Sequence, residues 1–172
     1  AAPNDIWAVG EYDKSDFNAA GKALALHWDG SNWREVPTPD LDEGISALRG
    51  IAALTSDDIW AVGTYSGNLP NALDPGGSYD IEANTPALHW DGKAWTHVPT
   101  PYVAGVTNEL ADVAALAPND IWAVGSGWGG EGGDQITLHW DGNEWTLVPS
   151  PQGLAHNGTG LYAVAPLFPG DV

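Results

Sequence analysis

The chain has 172 residues, 43% of them hydrophobic, which is enough for one domain with a buried core. Five Lys and Arg stand against 23 Asp and Glu, and a net charge of −18 repels phosphate backbones and anionic lipids, so nucleic acid and membrane surfaces are poor partners. There is no Cys, which excludes a disulfide framework and thiolate zinc sites, and no apolar run reaches the roughly 18 residues that would mark a spanning helix.

Ten Trp at regular positions, with 22 Gly and 13 Pro, describe a folded chain of short strands and turns rather than an acidic disordered one. No basic segment followed by an apolar one opens the chain, and Met is absent throughout. The expectation is a processed product or a segment of a longer polypeptide, exported and extracellular or at the cell surface.

From its first residues the chain repeats itself. Asp-Ile-Trp-Ala-Val-Gly occupies Asp5 to Gly10, Asp58 to Gly63 and Asp120 to Gly125, and Asp171-Val172 begins a fourth copy. Leu-His-Trp-Asp-Gly follows at Leu26 to Gly30, Leu88 to Gly92 and Leu138 to Gly142, with a Trp soon after at Trp33, Trp95 and Trp145. Val-Pro-Thr/Ser-Pro comes next, at Val36 to Pro39, Val98 to Pro101 and Val148 to Pro151. An apolar element closes each unit: Leu48 to Leu54, Leu110 to Leu116 and Leu161 to Leu167.

Four strands, at positions A to D, can be placed in the unit that begins at Leu48. Leu48 to Leu54 is an apolar run of strand length, and Thr55-Ser56-Asp57-Asp58 is a tight turn. Ile59 to Tyr65 is rich in β-formers, with Trp60 and Val62 on one face. Strand C is Ala87 to Trp90; Asp91-Gly92 signals a hairpin, with a positive φ expected at Gly92, and strand D is Trp95 to Val98. Pro99 and Pro101 stop the pairing, as suits an outer edge. The longest insertion, Ser66 to Pro86, separates B from C.

A unit of about 50 residues with four antiparallel strands is the signature of a β-propeller blade. The order Asp-Ile-Trp-Ala-Val-Gly, Trp-Asp-Gly-x-x-Trp, Val-Pro-x-Pro resembles a Kelch-type repeat of the galactose-oxidase-like kind, with a single Gly (Gly10, Gly63, Gly125) where that family has a pair. The stretch around Trp95-x-x-Val98 and Ile59-Trp-Ala-Val is similar to tectonin repeats, which occur in propeller lectins. The Asp-Gly-x-x-Trp hairpin resembles Asp-box turns, one residue shorter. The expected fold is all-β: a partial blade over 1–47 (strands B, C and D), blades over 48–109 and 110–160, and a lone strand A over 161–172. Three blades do not close a ring, since roughly four to eight are typical. The array is therefore expected to be completed by other copies of itself, as a six-bladed dimer or a filament, or by further repeats of the same chain. The expected interface is Ile6, Trp7 and Val9 against Leu161, Val164 and Leu167.

His27, His89 and His139 recur and invite a metal reading, but equivalent positions on neighbouring blades lie too far apart for one ion with ligand bonds near 2 Å. A hydrogen-bonded imidazole wedged between blades explains them better. Asp5, Asp58, Asp120 and Asp171 are read as acceptors of turn N–H groups, as are Asp29, Asp91 and Asp141 in the C–D hairpins. Trp7, Trp28, Trp33 and their copies are read as packing between blades.

Because strands alternate direction, the B–C and D–A loops share one face, and all the insertions lie there, the usual place for function on a rigid scaffold. That face holds the candidate glycan-binding residues Tyr12, Phe17, Tyr65, Tyr79, Asp80, Trp128 and Asp134, since rings stack on pyranose faces and carboxylates accept from hydroxyls. Calcium, which takes several oxygen ligands, is the one cofactor such acidic loops would suit. Gly125 to Gly133 is Gly-rich but lacks the Lys of a phosphate-binding loop, and Asn157-Gly158-Thr159 is a lone glycosylation sequon. The leading function is a non-catalytic module that self-assembles and presents this face. Lectin-like glycan binding is the alternative. A segment of a galactose-oxidase-like or sialidase-like enzyme is the third reading, for which no copper constellation and only Arg34 and Arg49 are at hand.

Overall fold

The computed structural model describes residues 4–12, 21–39, 45–65, 86–101, 107–128, 134–149 and 159–167. Among these the chain is all-β: three antiparallel blades in a row, an incomplete propeller. The first blade is β1 (Ile6–Tyr12), β2 (Lys22–Trp28) and β3 (Trp33–Glu35), in that order across the sheet. The second is β4 (Ile45–Thr55), β5 (Asp58–Tyr65), β6 (Ala87–Trp90) and β7 (Trp95–Val98), and the third is β8 (Thr107–Ala117), β9 (Asp120–Trp128), β10 (Asp134–Trp140) and β11 (Trp145–Leu147). Each blade is a meander in which sequence neighbours pair. The second and third blades share one backbone bridge, Thr64 to Glu109.

Strands C and D of the second blade span the expected residues. Strand A is longer than its apolar run, 11 residues in both β4 and β8. Its pairing with strand B passes a register shift between Leu48 and Gly50, and again between Leu110 and Asp112. An extra residue bends the strand there and lets pairing resume on the far side, so β4 reaches back to Ile45 opposite Tyr65. This bend accounts for the Gly that ends the Asp-Ile-Trp-Ala-Val-Gly motif. A Cβ on Gly63 would lie 1.9 Å from the Ala47 carbonyl oxygen, and one on Gly125 would lie 1.8 Å from that of Glu109. No side chain fits between the two strands at that point.

The blades bury their faces against each other. Ile59, Leu88 and Trp95 of the second blade pack with Ala23 and Ala25 of the first, while Trp60, Val62 and Ala87 on its other face pack with Ile121, Leu138 and Trp145 of the third. Period-two alternation places one residue set toward each neighbour, so every blade needs a blade on both sides. A fully buried Leu or Ile is worth roughly 1.5–3 kcal/mol over an exposed one, and Leu48, Ile59, Leu88, Leu110, Ile121 and Leu138 all reach that limit.

The C–D turns are four-residue loops closed by Asp. The Asp91 carboxylate accepts the Lys93 and Ala94 amides at 2.9 Å, and Asp29 and Asp141 repeat the arrangement with Ser31 and Asn32, and with Asn143 and Glu144. These amide bonds favour the ionised form and hold all three carboxyls below the usual Asp value. Gly30, Gly92 and Gly142 follow with φ of 95°, 88° and 101°. A Cβ on Gly92 would also meet the Asp57 Cβ at 2.7 Å, because the A–B and C–D turns of one blade touch. Gly92→Val should therefore lose about 1–2 kcal/mol from the left-handed backbone alone and lower Tm by roughly 2–8 °C. Scanning calorimetry reads this directly; an unchanged Tm contradicts the turn geometry.

Candidate functional site at the open ends of the array

The same side-chain group recurs in all three blades. Strand B offers an Asp and a Trp, strand C a His, and their ladder register brings them together: Trp7 lies opposite His27, Trp60 opposite His89 and Trp122 opposite His139. The imidazole Nε2 faces the carboxylate Oδ1 at 2.7 Å for His27 and Asp5, 2.9 Å for His89 and Asp58, and 2.9 Å for His139 and Asp120. The indole lies over the imidazole, with ring centroids 4.5, 4.6 and 4.5 Å apart in the three blades. Asp5, Asp58 and Asp120 thus hold histidine, which corrects their reading as acceptors of turn amides. Local Asx turns are visible in sequence; this bond spans 22, 31 and 19 residues and is not.

The strand-B Trp of the first and second blades then reaches into the next blade. Trp7 lies 4.9 Å from Trp90 and edge-on to Trp95 at 5.6 Å; Trp60 lies 5.0 Å from Trp140 and edge-on to Trp145 at 5.4 Å. Tilted and edge-to-face aromatic pairs add about 0.5–1.5 kcal/mol each beyond their buried area. The Val-Pro-x-Pro segment completes the seam. Val98, Pro99, Thr100 and Pro101 form one wall of a groove of about 590 Å³ whose other wall is the Trp140–Trp145 hairpin of the following blade.

At both ends of the array this pattern is half made. At the front, Trp28 and Trp33 lie 5.8 Å apart at 48°, matching Trp90 and Trp95 at 5.8 Å and 49°, yet among the described residues no strand-B Trp faces them. Trp33 is 48% exposed where Trp95 and Trp145 are 4%, and Ile6 is 48% exposed where Ile59 is 1%. At the rear, Trp122 stacks on His139 and meets no Trp pair among the described residues.

The inner edge is also incomplete. The described residues pair β1 with β2 alone. Residues 159–167 form no strand and lie in no ladder; the Leu161 amide donates to the Gly125 carbonyl at 3.1 Å, and the Val164 amide to Asp112 Oδ2 at 3.0 Å. Gly160 lies beside Ser126, as Glu109 lies beside Thr64, so this segment takes against the third blade the place β8 takes against the second. It leaves Tyr162 and Leu167 at 67% and 75% exposure.

The expected interface residues divide accordingly. Ile6 and Leu167 are on open surface. Leu161 and Val164 are half-buried and bonded to the third blade through their backbones. The Trp7 and Val9 side chains are partly buried against the second blade, on the opposite face of β1 from Ile6, while their backbone belongs to the strand whose inner edge is open among the described residues. Trp33, Trp122 and Gly10 were not singled out for the interface. The repeat carries their signal, since each is a copy of a residue whose partner is absent at that end.

On the loop face, Tyr12 ends β1 at 37% exposure, Tyr65 ends β5, Trp128 ends β9 and Asp134 begins β10, so topology gathers these four at one end of the blades. Phe17, Tyr79 and Asp80 lie outside the described residues, as do the side chains of Tyr65, Trp128 and Asp134. Among the described residues, no three His, Asp or Glu side chains group so as to hold a metal ion. Compared with protein-family models the chain matches none, and comparison with curated proteins likewise finds no match. The likeness to Kelch-type and tectonin repeats rests on the motifs themselves.

His89→Ala would leave the largely buried Asp58 carboxylate without its donor and strip one ring from the seam. A loss of about 1–3 kcal/mol is expected, and chemical denaturation measures it. A change under 0.5 kcal/mol, within the usual range for surface substitutions, would mean that the Asp–His–Trp group carries no stability.

Proposed function

We propose that this chain is a non-catalytic repeat module of the β-propeller kind that completes its blades with another copy of itself. In this reading the segment 159–167 of one copy enters beside β1 of the next, and β1, β2 and β3 supply the remaining strands of that blade. A head-to-tail contact of this type closes into a ring if its rotation allows, six blades for two copies, and otherwise grows as a filament.

The observation that carries the reading is Gly10. In the two complete blades the equivalent Gly63 and Gly125 are pressed by the inner strand, with its carbonyl oxygens under 2 Å from where a Cβ would stand. Among the described residues nothing lies within 4 Å of where a Cβ on Gly10 would stand. The motif keeps a residue that makes room for an inner strand, and in the isolated chain that room is open. The exposed residues of the 159–167 segment offer the strand that would fill it.

A location outside the cell or at its surface belongs to the same proposal, supported by the acidic composition. So does recognition on the loop face, supported by the shared placement of Tyr12, Tyr65, Trp128 and Asp134. Aromatic rings beside carboxylates suit a glycan there.

Gly10→Ala tests the proposal cleanly. A Cβ at that position touches nothing in the isolated chain, so its far-ultraviolet circular dichroism and Tm should match the wild type, while self-association weakens at least tenfold by light scattering. Equal association of the two proteins, or a wild type that stays at its 18.0 kDa monomer mass to millimolar concentration, contradicts it.

A further inference from the structure

We infer that a second copy docks through a third aromatic seam, in which its Trp28–Trp33 pair closes on Trp122, and that docking releases the Trp122 indole from Asp120. The inference rests on the self-association proposed above but names a different surface. Strand completion concerns the inner edge, near Gly10 and Leu161. This seam lies further out, on strands B, C and D.

The two internal seams define what the third must contain. Each uses a strand-B Trp stacked on its own His and a Trp pair from strands C and D of the following blade. The front of the array already holds such a pair in the same geometry, and the rear already holds the Trp on its His. The open interface thus continues two established ones, with both halves preformed. Its occupant is another copy, because the fit is between this chain's own first and third blades. Two flat, rigid aromatic faces lose little conformational entropy on docking.

One difference between the blades shows what docking changes. In the covered seams the indole Nε1 groups of Trp7 and Trp60 have no hydrogen-bond partner among the described residues. In the uncovered third blade Trp122 Nε1 donates to Asp120 Oδ1 at 2.8 Å, the same oxygen that faces His139 Nε2. Asp120 is also the most exposed of the three, at 42% for its side chain against 22% for Asp58 and 27% for Asp5. With no neighbouring Trp pair to pack against, the indole turns its N–H to the carboxylate. A docked Trp pair would draw Trp122 into the orientation of Trp7 and Trp60, and the bond to Asp120 would be given up.

The test uses the whole chain labelled with nitrogen-15, with the Trp122 indole signal assigned through Trp122→Phe. Dissociation constants of wild type and Trp33→Ala are measured by analytical ultracentrifugation. Trp33 is half-exposed, so its truncation should leave the fold unchanged. The expected result is at least tenfold weaker association for Trp33→Ala. In wild type the Trp122 Nε1 proton should move upfield, out of its hydrogen-bonded position, as concentration rises. If wild type associates and Trp33→Ala associates equally well, the seam is overturned while strand completion stands. Should the Trp122 signal stay fixed through association, release from Asp120 is overturned. A wild type that never associates removes the seam and the proposed function together.

Discussion

The interaction on which the structure depends is the insertion of a strand-B Trp between its own histidine and the Trp pair of the following blade. A four-stranded sheet has two apolar faces and cannot cover either alone, so each blade is stable only as part of a stack. The Asp–His contact orients the imidazole, the imidazole supports the indole, and the indole fills the space between blades. Hairpins capped by Asp29, Asp91 and Asp141 set the spacing of strands C and D, and with it the separation of each Trp pair. Since the group is copied into every blade, its recurrence follows from packing, and no single copy needs a chemical role.

A stack built this way has two ends, and the ends differ. Among the described residues the front offers a Trp pair, an exposed Ile6 and an unfilled strand edge at Gly10, and the rear offers Trp122 on its His and the segment 159–167 docked on the third blade. Shape therefore favours head-to-tail contact. Charge opposes it, because each copy carries −18, and screening should matter: the repulsion between copies fades as the Debye length falls from about 10 Å at 0.1 M salt to about 3 Å at 1 M.

Much of this was legible in the sequence, and unevenly so. Ala87 to Trp90 and Trp95 to Val98 were placed to the residue, because a short alternating run bounded by Asp-Gly and Pro leaves little choice. The positive φ of Gly92 was legible for the same reason. Strand A was cut short at Leu48, since the bulge that carries pairing back to Ile45 depends on a strand that lies elsewhere in the chain. The partner of Asp58 was missed because a contact across 31 residues leaves no local trace. That the Trp7 and Val9 side chains turn toward the second blade, opposite Ile6, follows from alternation once the order of the blades is known. The repeat itself was the strongest signal: comparison of Gly10 with Gly63 and Gly125 locates the open edge once the structure shows what presses on the latter two.

Whether β1 acquires an inner strand from another copy is measured most directly by hydrogen exchange of its amides as a function of concentration. Alternate amides of Ile6 to Gly10 point toward the edge that no described strand fills, and in the isolated chain they should exchange freely. The account predicts that, at concentrations near and above the dissociation constant, these amides become protected together with those amides of 161–167 that are not already bonded to the third blade, while the amides of β5 and β9 stay unchanged. Protection of β1 that is the same at every concentration, or association that leaves those amides exchanging freely, would contradict it.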